Sequence, residues 1–245
     1  MDSVRPGESK RAILGSLQRS FLLAILVATG ASAGGDDGER AAPAAVDATC
    51  GATTAAAVQA HYESVRDIDS RFTQTTRSVA LGTGAAASST ATTGRVLFAK
   101  PGKMRWAYET PAASLVISDG KTLWIYDPAS KEAQRFSVSA GYLTGAALSF
   151  LLGEGDLVAE FEVSAKSCEG AQVELRLVPR GDSTYESLLL TVVRTSGEVL
   201  ETSIVDLFGN VTIIAFAETQ TNTDPAASMF EFEPPDGAQV IDLTQ

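Results

Sequence analysis

The segment from Gly94 to Pro128, GRVLFAKPGKMRWAYETPAASLVISDGKTLWIYDP, restricts the fold more than any other stretch of the chain. It reads as four short strands joined by tight turns. Val96, Leu97 and Phe98 run into the turn Lys100-Pro101-Gly102-Lys103. The next strand puts Met104, Trp106 and Tyr108 on one face and Arg105, Ala107 and Glu109 on the other. Leu115, Val116 and Ile117 then meet Asp119-Gly120, a strong hairpin dipeptide, and Leu123 to Tyr126 returns. A period of two with large aromatics on one face describes a sheet with one broad apolar side.

The same period governs most of the chain beyond Pro128. Strands are expected at about Gln134–Ser139, Val158–Ala165, Gln172–Val178, Ser187–Arg194, Val199–Leu207, Asn210–Thr219 and Phe230–Glu233, with turn residues between them. Two segments break the pattern. From Thr53, the apolar residues Val58, Tyr62, Val65, Ile68 and Phe72 recur at steps of three and four, the stripe of an amphipathic helix that Thr53 or Thr54 would cap. Leu143–Leu152 is apolar nearly all round and bounded by glycines, so a short buried helix is expected there. Val79–Thr93 has almost no large side chains and reads as a long mobile loop. The fold class is therefore mainly β: a large curved antiparallel sheet of about eleven strands whose concave face is covered by an amino-terminal helix and short helices.

The amino end reads as an export signal. Arg5, Lys10, Arg11 and Arg19 precede the apolar run Phe21–Val27, and Ala31-Ser32-Ala33 offers a small-residue cleavage site. An uncleaved anchor is the alternative, but the run is short for a bilayer. Residues 1–33 are thus the signal peptide, 34–49 a Gly/Ala/Asp linker and 50–245 a single domain. Residues 1–33 carry four basic and two acidic side chains, so their loss takes the formal charge from −11 to −13. A surface this acidic is repelled by nucleic acid and by anionic membranes. The two cysteines, Cys50 and Cys168, form the simplest disulfide of an exported chain, joining the start of the helix to a mid-sheet hairpin; two separate thiols are the alternative.

Catalytic chemistry has little to stand on. The one histidine, His61, lies on the helix and reads as a solvated surface residue, and no Cys or second His accompanies it to hold a metal. Asp119 and Asp127 occupy turns, where aspartate serves the backbone. No enzyme and no cofactor is expected. The positive signal is apolar excess. Val96, Phe98, Met104, Trp106, Tyr108, Leu115, Ile117, Trp124 and Tyr126 exceed what one amphipathic helix covers. They line either an ordinary core or a cavity between sheet and helices.

The ordered set Gly94, Pro101, Trp106, Pro111, Ile117-Ser118-Asp119-Gly120-Lys121-Thr122-Leu123-Trp124, Tyr126 and Pro128 resembles the periplasmic outer-membrane lipoprotein carriers of the LolA type, and the run from Asp206 to Ile241 resembles that family's ending. The resemblance implies an incomplete β-barrel closed by a helical lid. It implies a monomeric periplasmic carrier for the acylated amino termini of lipoproteins, taken from an inner-membrane ABC-type release complex and passed to an outer-membrane acceptor. The acyl-chain cavity would then comprise Val96, Phe98, Met104, Trp106, Tyr108, Leu115 and Ile117, with Leu148 and Leu151 from the short helix. One departure stands out: where many carriers have an arginine that bonds the lid, this chain has Lys100, which keeps the charge and loses the planar fork. Lys100 either contacts the carbonyl end of a lid helix or stays solvated in its turn. Rival readings are a same-fold binding protein for another amphiphile, such as a glycolipid or hydrophobic metabolite, a lipid hydrolase, and a lipid-binding sensor.

Overall fold

The computed structural model describes residues 48–79, 91–138 and 155–244. Twelve strands form one sheet: β1 Asp67–Arg77, β2 Thr92–Ala99, β3 Lys103–Thr110, β4 Ser114–Asp119, β5 Thr122–Asp127, β6 Glu132–Ser137, β7 Phe161–Ala165, β8 Gln172–Pro179, β9 Tyr185–Val193, β10 Val199–Asp206, β11 Val211–Thr221 and β12 Gln239–Asp242. Their order across the sheet is β12-β6-β5-β4-β3-β2-β1-β11-β10-β9-β8-β7. Two antiparallel meanders thus meet where β1 pairs with β11. Every neighbouring pair is antiparallel except β6 with β12. The large antiparallel sheet is as expected, but it gains β1 and β12, lacks the strand expected at 230–233, and stays open rather than closing into a barrel. Helix α1 spans Ala48–Ser64, α2 is the single turn Leu157–Glu160, and a 3-10 turn covers Ala227–Phe230.

Several elements differ from the sequence expectation for identifiable reasons. The first helix stops at Ser64, so Ile68 and Phe72 belong to β1. Their spacing of four fits a helix face, yet four is also a multiple of two, and Ile68, Ser70 and Phe72 are the buried residues of one strand face. Neither Thr53 nor Thr54 caps α1: the helix begins earlier, and the Thr53 hydroxyl donates back to the Thr49 carbonyl 2.8 Å away. The strand expected from Val158 begins only at Phe161, because the Asp156 carboxylate accepts from the amides of Val158 and Ala159 and starts α2. Thr92 and Thr93, assigned to a loop by composition, open β2. Residues 230–233 are not a strand. They end the 3-10 turn and run on without a ladder, and the last strand is Gln239–Asp242. The leader, the linker up to residue 47 and the short helix at Leu143–Leu152 lie outside the described residues, while Ala48 and Thr49, expected in the linker, open α1.

Register separates the two faces of the sheet. Val96 pairs with Trp106, Trp106 with Val116 and Val116 with Ile125. Phe98, Met104, Ser118, Leu123 and Phe136 form the next row, and Phe72, Gly94, Tyr108 and Ser114 the one on the other side. Helix α1 packs on the same side. It contacts β7 and β8, where Val173, Leu175 and Leu177 are wholly buried. This is the inner face. The outer face carries Asp69, Arg71, Arg95, Leu97, Arg105 and Glu109, with ion pairs Arg95–Asp69 and Arg71–Glu109 across the strands.

Residues 222–238 cross the outer face as a strap. The buried Asp67 carboxylate anchors its start by accepting from the Thr223 amide (2.6 Å), the Thr223 hydroxyl (2.9 Å) and the Asp224 amide (3.2 Å). Further along, Phe230 is buried where the 3-10 turn meets β3 and β4, and Arg105 Nη1 donates to the Met229 carbonyl. Phe232 then sits 5.6 Å from the Trp124 ring and 5.4 Å from that of Tyr126. An open cleft of about 520 Å³ lies at this strap, lined by Asp119, Trp124, Arg135, Phe230 and Phe232 among others, and it shares no lining residue with the inner face.

Candidate functional site

The inner face is built around an aromatic cluster. The Phe72 ring meets Trp106 edge-on at 4.9 Å and Tyr108 edge-on at 5.2 Å, while Phe98 meets Trp106 at 5.6 Å. Gly94 makes this possible. A Cβ there would fall 2.1 Å from the Ala107 carbonyl oxygen and 2.8 Å from the Phe72 ring, so only glycine lets that ring lie across β2. Offset and edge-on contacts of this kind add about 1 kcal/mol each to area burial.

Of the expected cavity residues, the sheet brings five together: Val96, Phe98, Met104, Trp106 and Tyr108 share the inner face. Leu115 and Ile117 do not join them. They pair with Ala107 and Arg105 and therefore point to the outer side, as do Trp124 and Tyr126. Their inner-face counterparts are Val116 and Ser118. A hairpin of apolar residues in consecutive positions, Leu115-Val116-Ile117, carries no alternation to say which parity faces inward; only the register does. Ile117 is instead buried on the outer face of β4, the strand on which the strap's 3-10 turn rests. Leu148 and Leu151 lie outside the described residues. Sequence reasoning missed Phe72, Val116, Ile125, Ile214 and Phe216, which the register places on the inner face. Phe216 is placed there by its pairing with Phe72 on β1, which no local signal in the sequence gives.

Helix α1 is fastened at both ends. Cys50 in its first turns is joined to Cys168 by a disulfide, with Cα atoms 6.3 Å apart and a sequence separation of 118. Cys168 sits in the β7–β8 connection at the end of the sheet order, not in its middle. At the other end, Lys100 Nζ donates to the Tyr62 carbonyl at 2.5 Å. A cation at the last turn also meets the negative end of the helix dipole. The Tyr62 hydroxyl accepts from the Val199 amide at 3.2 Å, so the same residue ties α1 to β10. Burial pushes the Tyr62 phenol up to about 12, the Val199 hydrogen bond opposing and nearby Glu198 adding to it. Burial alone pushes Tyr108 up to about 12. Gly197, at φ +75°, lies against the backbone of Ala57 and Val58, where any side chain would collide.

His61 is half-buried rather than solvated, with its ring 4.9 Å from that of Tyr62. Among the described residues, no group of three or more His, Cys, Asp or Glu is placed to hold a metal ion. The inner face presents a continuous apolar row from Val96 through Trp106 to Val116 and Ile125.

A family model described as outer membrane lipoprotein carrier protein LolA matches residues 63–233. The chain belongs to this family. An outer-membrane lipoprotein carrier protein of Cupriavidus necator is 31% identical over 199 residues, 80% of this chain and 92% of that one. That of Chromobacterium violaceum is 31% identical over 149 residues, covering 60% and 71%, and that of Dechloromonas aromatica 34% over 151 residues, covering 60% and 70%. Among solved structures, a conserved protein from Thermus thermophilus aligns over 77% of this chain and 99% of its own at 12% identity and a TM-score of 0.49. A LolA superfamily protein from Nitrosomonas europaea aligns over 73% and 97% at 14% identity and a TM-score of 0.40. The family match begins at Glu63, within the last turn of α1, so the disulfide-bearing start of that helix falls outside it.

Proposed function

We propose that this chain is a periplasmic carrier that shields the acyl chains of lipoproteins released from the inner membrane and delivers them to the outer membrane. The observation that carries the reading is the family match over residues 63–233. The physical need is plain. Each exposed methylene costs about 0.8 kcal/mol, so a multiply acylated terminus cannot cross water uncovered. The inner face offers apolar cover from Phe72 through Val96 and Trp106 to Val116. No helix among the described residues is long and apolar enough to cross a membrane.

In this reading the domain runs from residue 50 to 245 after export and cleavage near Ala33, and its partners are an ABC-type release complex and an outer-membrane acceptor. Bound chains must also leave, which requires open and closed states separated by only a few kcal/mol. Lys100, by holding the carbonyl end of α1, is the residue assigned to that balance. The carrier needs no cofactor and performs no covalent step.

The test is to purify the protein from its own periplasm, extract it with organic solvent and analyse the extract by mass spectrometry. Acylated amino-terminal peptides support the carrier reading. Free glycolipids or another amphiphile would replace it with a same-fold binding protein, and cleaved fatty acids with a hydrolase.

A further inference from the structure

The three most exposed large apolar side chains among the described residues meet at one place. Phe208 is 73% exposed, Leu207 63% and Val79 58%. Leu207 and Phe208 form the apex of the β10–β11 hairpin, and a Cβ at Gly209 would lie 3.4 Å from Val79 Cγ1. Apolar residues exposed singly are ordinary on a protein surface; a group of them is a mark of contact with something else.

The apex is held in a fixed shape. The Asp206 carboxylate accepts from the amides of Phe208 (2.9 Å) and Asn210 (2.8 Å) and from the Asn210 side-chain nitrogen (2.8 Å), and the Gly209 amide donates to the Asp206 carbonyl at 3.0 Å. The Asn210 side-chain oxygen accepts from the Val79 amide at 3.1 Å, which fastens the chain just past β1 to the tip. Polar groups thus close the turn, while Leu207 and Phe208 fill positions that ordinarily go to polar residues or glycine.

The surroundings are suited to a lipid interface. The tip lies at the end of the sheet where β1 stops at Arg77, an exposed cation paired in register with Val211. The β3–β4 connection is at the same end, and its Pro111, Ala112 and Ala113 are exposed and uncharged. The opposite end carries the charged turns Lys100–Lys103 and Asp119–Lys121. Three side chains at a hairpin apex fall far short of the roughly 1,000 Å² that a specific protein interface buries. A bilayer surface asks for no matching shape, only apolar area to bury and headgroups for a neighbouring cation. The net charge of −11 excludes a strongly anionic bilayer.

We propose that the Leu207–Phe208 tip, with Val79 beside it, is a membrane-contact site that enters the headgroup region of a zwitterionic bilayer. So small a wedge binds shallowly and reversibly. The inference goes beyond the carrier reading and does not depend on it, because the ligand is the bilayer itself, without cargo.

The probes are vesicles of phosphatidylcholine alone and vesicles with an equal share of phosphatidylglycerol, each mixed with the mature protein and separated by flotation. Wild type should float with the phosphatidylcholine vesicles. Leu207→Ser combined with Phe208→Ser should weaken this partitioning about tenfold or more while melting as wild type does, since neither side chain is packed in the core. Val240→Ser combined with Leu243→Ser, which removes two exposed apolar side chains at the β12 edge, should leave it unchanged. Phe208→Trp should add fluorescence that moves to shorter wavelength when phosphatidylcholine vesicles are added. No flotation of wild type, equal flotation of the double serine variant at the tip, an unmoved emission from Phe208→Trp, or binding confined to the anionic vesicles each overturns the inference and leaves the carrier reading untouched.

Discussion

Lys100 reaches across from the end of β2 to hold the backbone carbonyl of Tyr62, 2.5 Å away in the last turn of α1. Helix and sheet are thereby joined by a charged hydrogen bond at the point where the chain leaves α1 for β1. Such bonds contribute about 1.5–3 kcal/mol when partly shielded from water. Lys100→Leu is therefore expected to lower the unfolding free energy by about 1.5 kcal/mol and to speed amide exchange around residues 62–66. Denaturant titration and hydrogen exchange check both. Lys100→Arg should restore most of the loss only if the planar fork finds room at the same carbonyl. A wild-type exchange pattern in Lys100→Leu would show that the ammonium does not hold the helix.

Tyr62 sets an alkaline limit. Its phenol is pushed up to about 12 in the folded protein, against 10.0 for the free side chain. Below the lower value both states keep the proton and the contribution to stability is complete. Between the two, the unfolded chain has lost the proton and the folded one keeps it, so stability falls as pH rises toward the folded value. A displacement of this size corresponds to about 3 kcal/mol. Tyr62→Phe should flatten this part of the profile and should lose some stability at neutral pH with the Val199 hydrogen bond. Thermal melts of both proteins from about pH 8 to about pH 12, which brackets the phenol range, test it. Parallel profiles would remove Tyr62 as the cause.

The disulfide should matter most to the half of the sheet that α1 covers. Cys50 and Cys168 lie 118 positions apart, and closing so long a loop stabilises by up to about 4.7 kcal/mol in the chain-entropy model. A double Cys50→Ser, Cys168→Ser variant is expected to lose about 2–4 kcal/mol. Peptide mapping without reductant should recover the linked pair from the wild-type protein. Two free thiols there, or a variant as stable as wild type, would count against it.

The register makes a paired prediction for neighbouring residues. Val116 faces inward beside Trp106, whereas Leu115 faces outward beside Ala107. Val116→Ser should weaken acylated-peptide binding several-fold, about 1 kcal/mol, by placing a hydroxyl in the apolar row. Leu115→Ser should leave affinity within error and cost only modest stability. Fluorescence titration of both variants decides the matter, and the reverse outcome would mean that the inner face is not where chains bind.

The sheet was legible in the sequence where local chemistry was strong. Asp119-Gly120 fixes the β4–β5 turn, with the Asp119 carboxylate accepting from the amides of Lys121 and Thr122. Alternation of Met104, Trp106 and Tyr108 fixed the apolar side of β3. Where local signals were silent, tertiary pairing decided. Ile68 and Phe72 fitted a helix as well as a strand, and Leu115 and Ile117 could have faced either way until their partners Tyr126 and Trp124 were known. The strap was invisible for a different reason: Phe230 and Phe232 are apolar alternate residues, yet they meet side chains of the sheet rather than another backbone. Composition pointed to Cys50–Cys168, but not to the outermost hairpin as its anchor.

The strap has a consequence for solubility. Without it, the six residues of β6 would end the sheet with a row of unsatisfied amides and carbonyls, a template on which other chains aggregate. By returning as β12, the carboxyl end occupies that template with only four residues, Gln239–Asp242, and sets the Asp242–Arg135 ion pair beside it. The far side ends nearly as briefly in the five residues of β7. A sheet of twelve strands thus offers neighbours no more than two short, charged stubs.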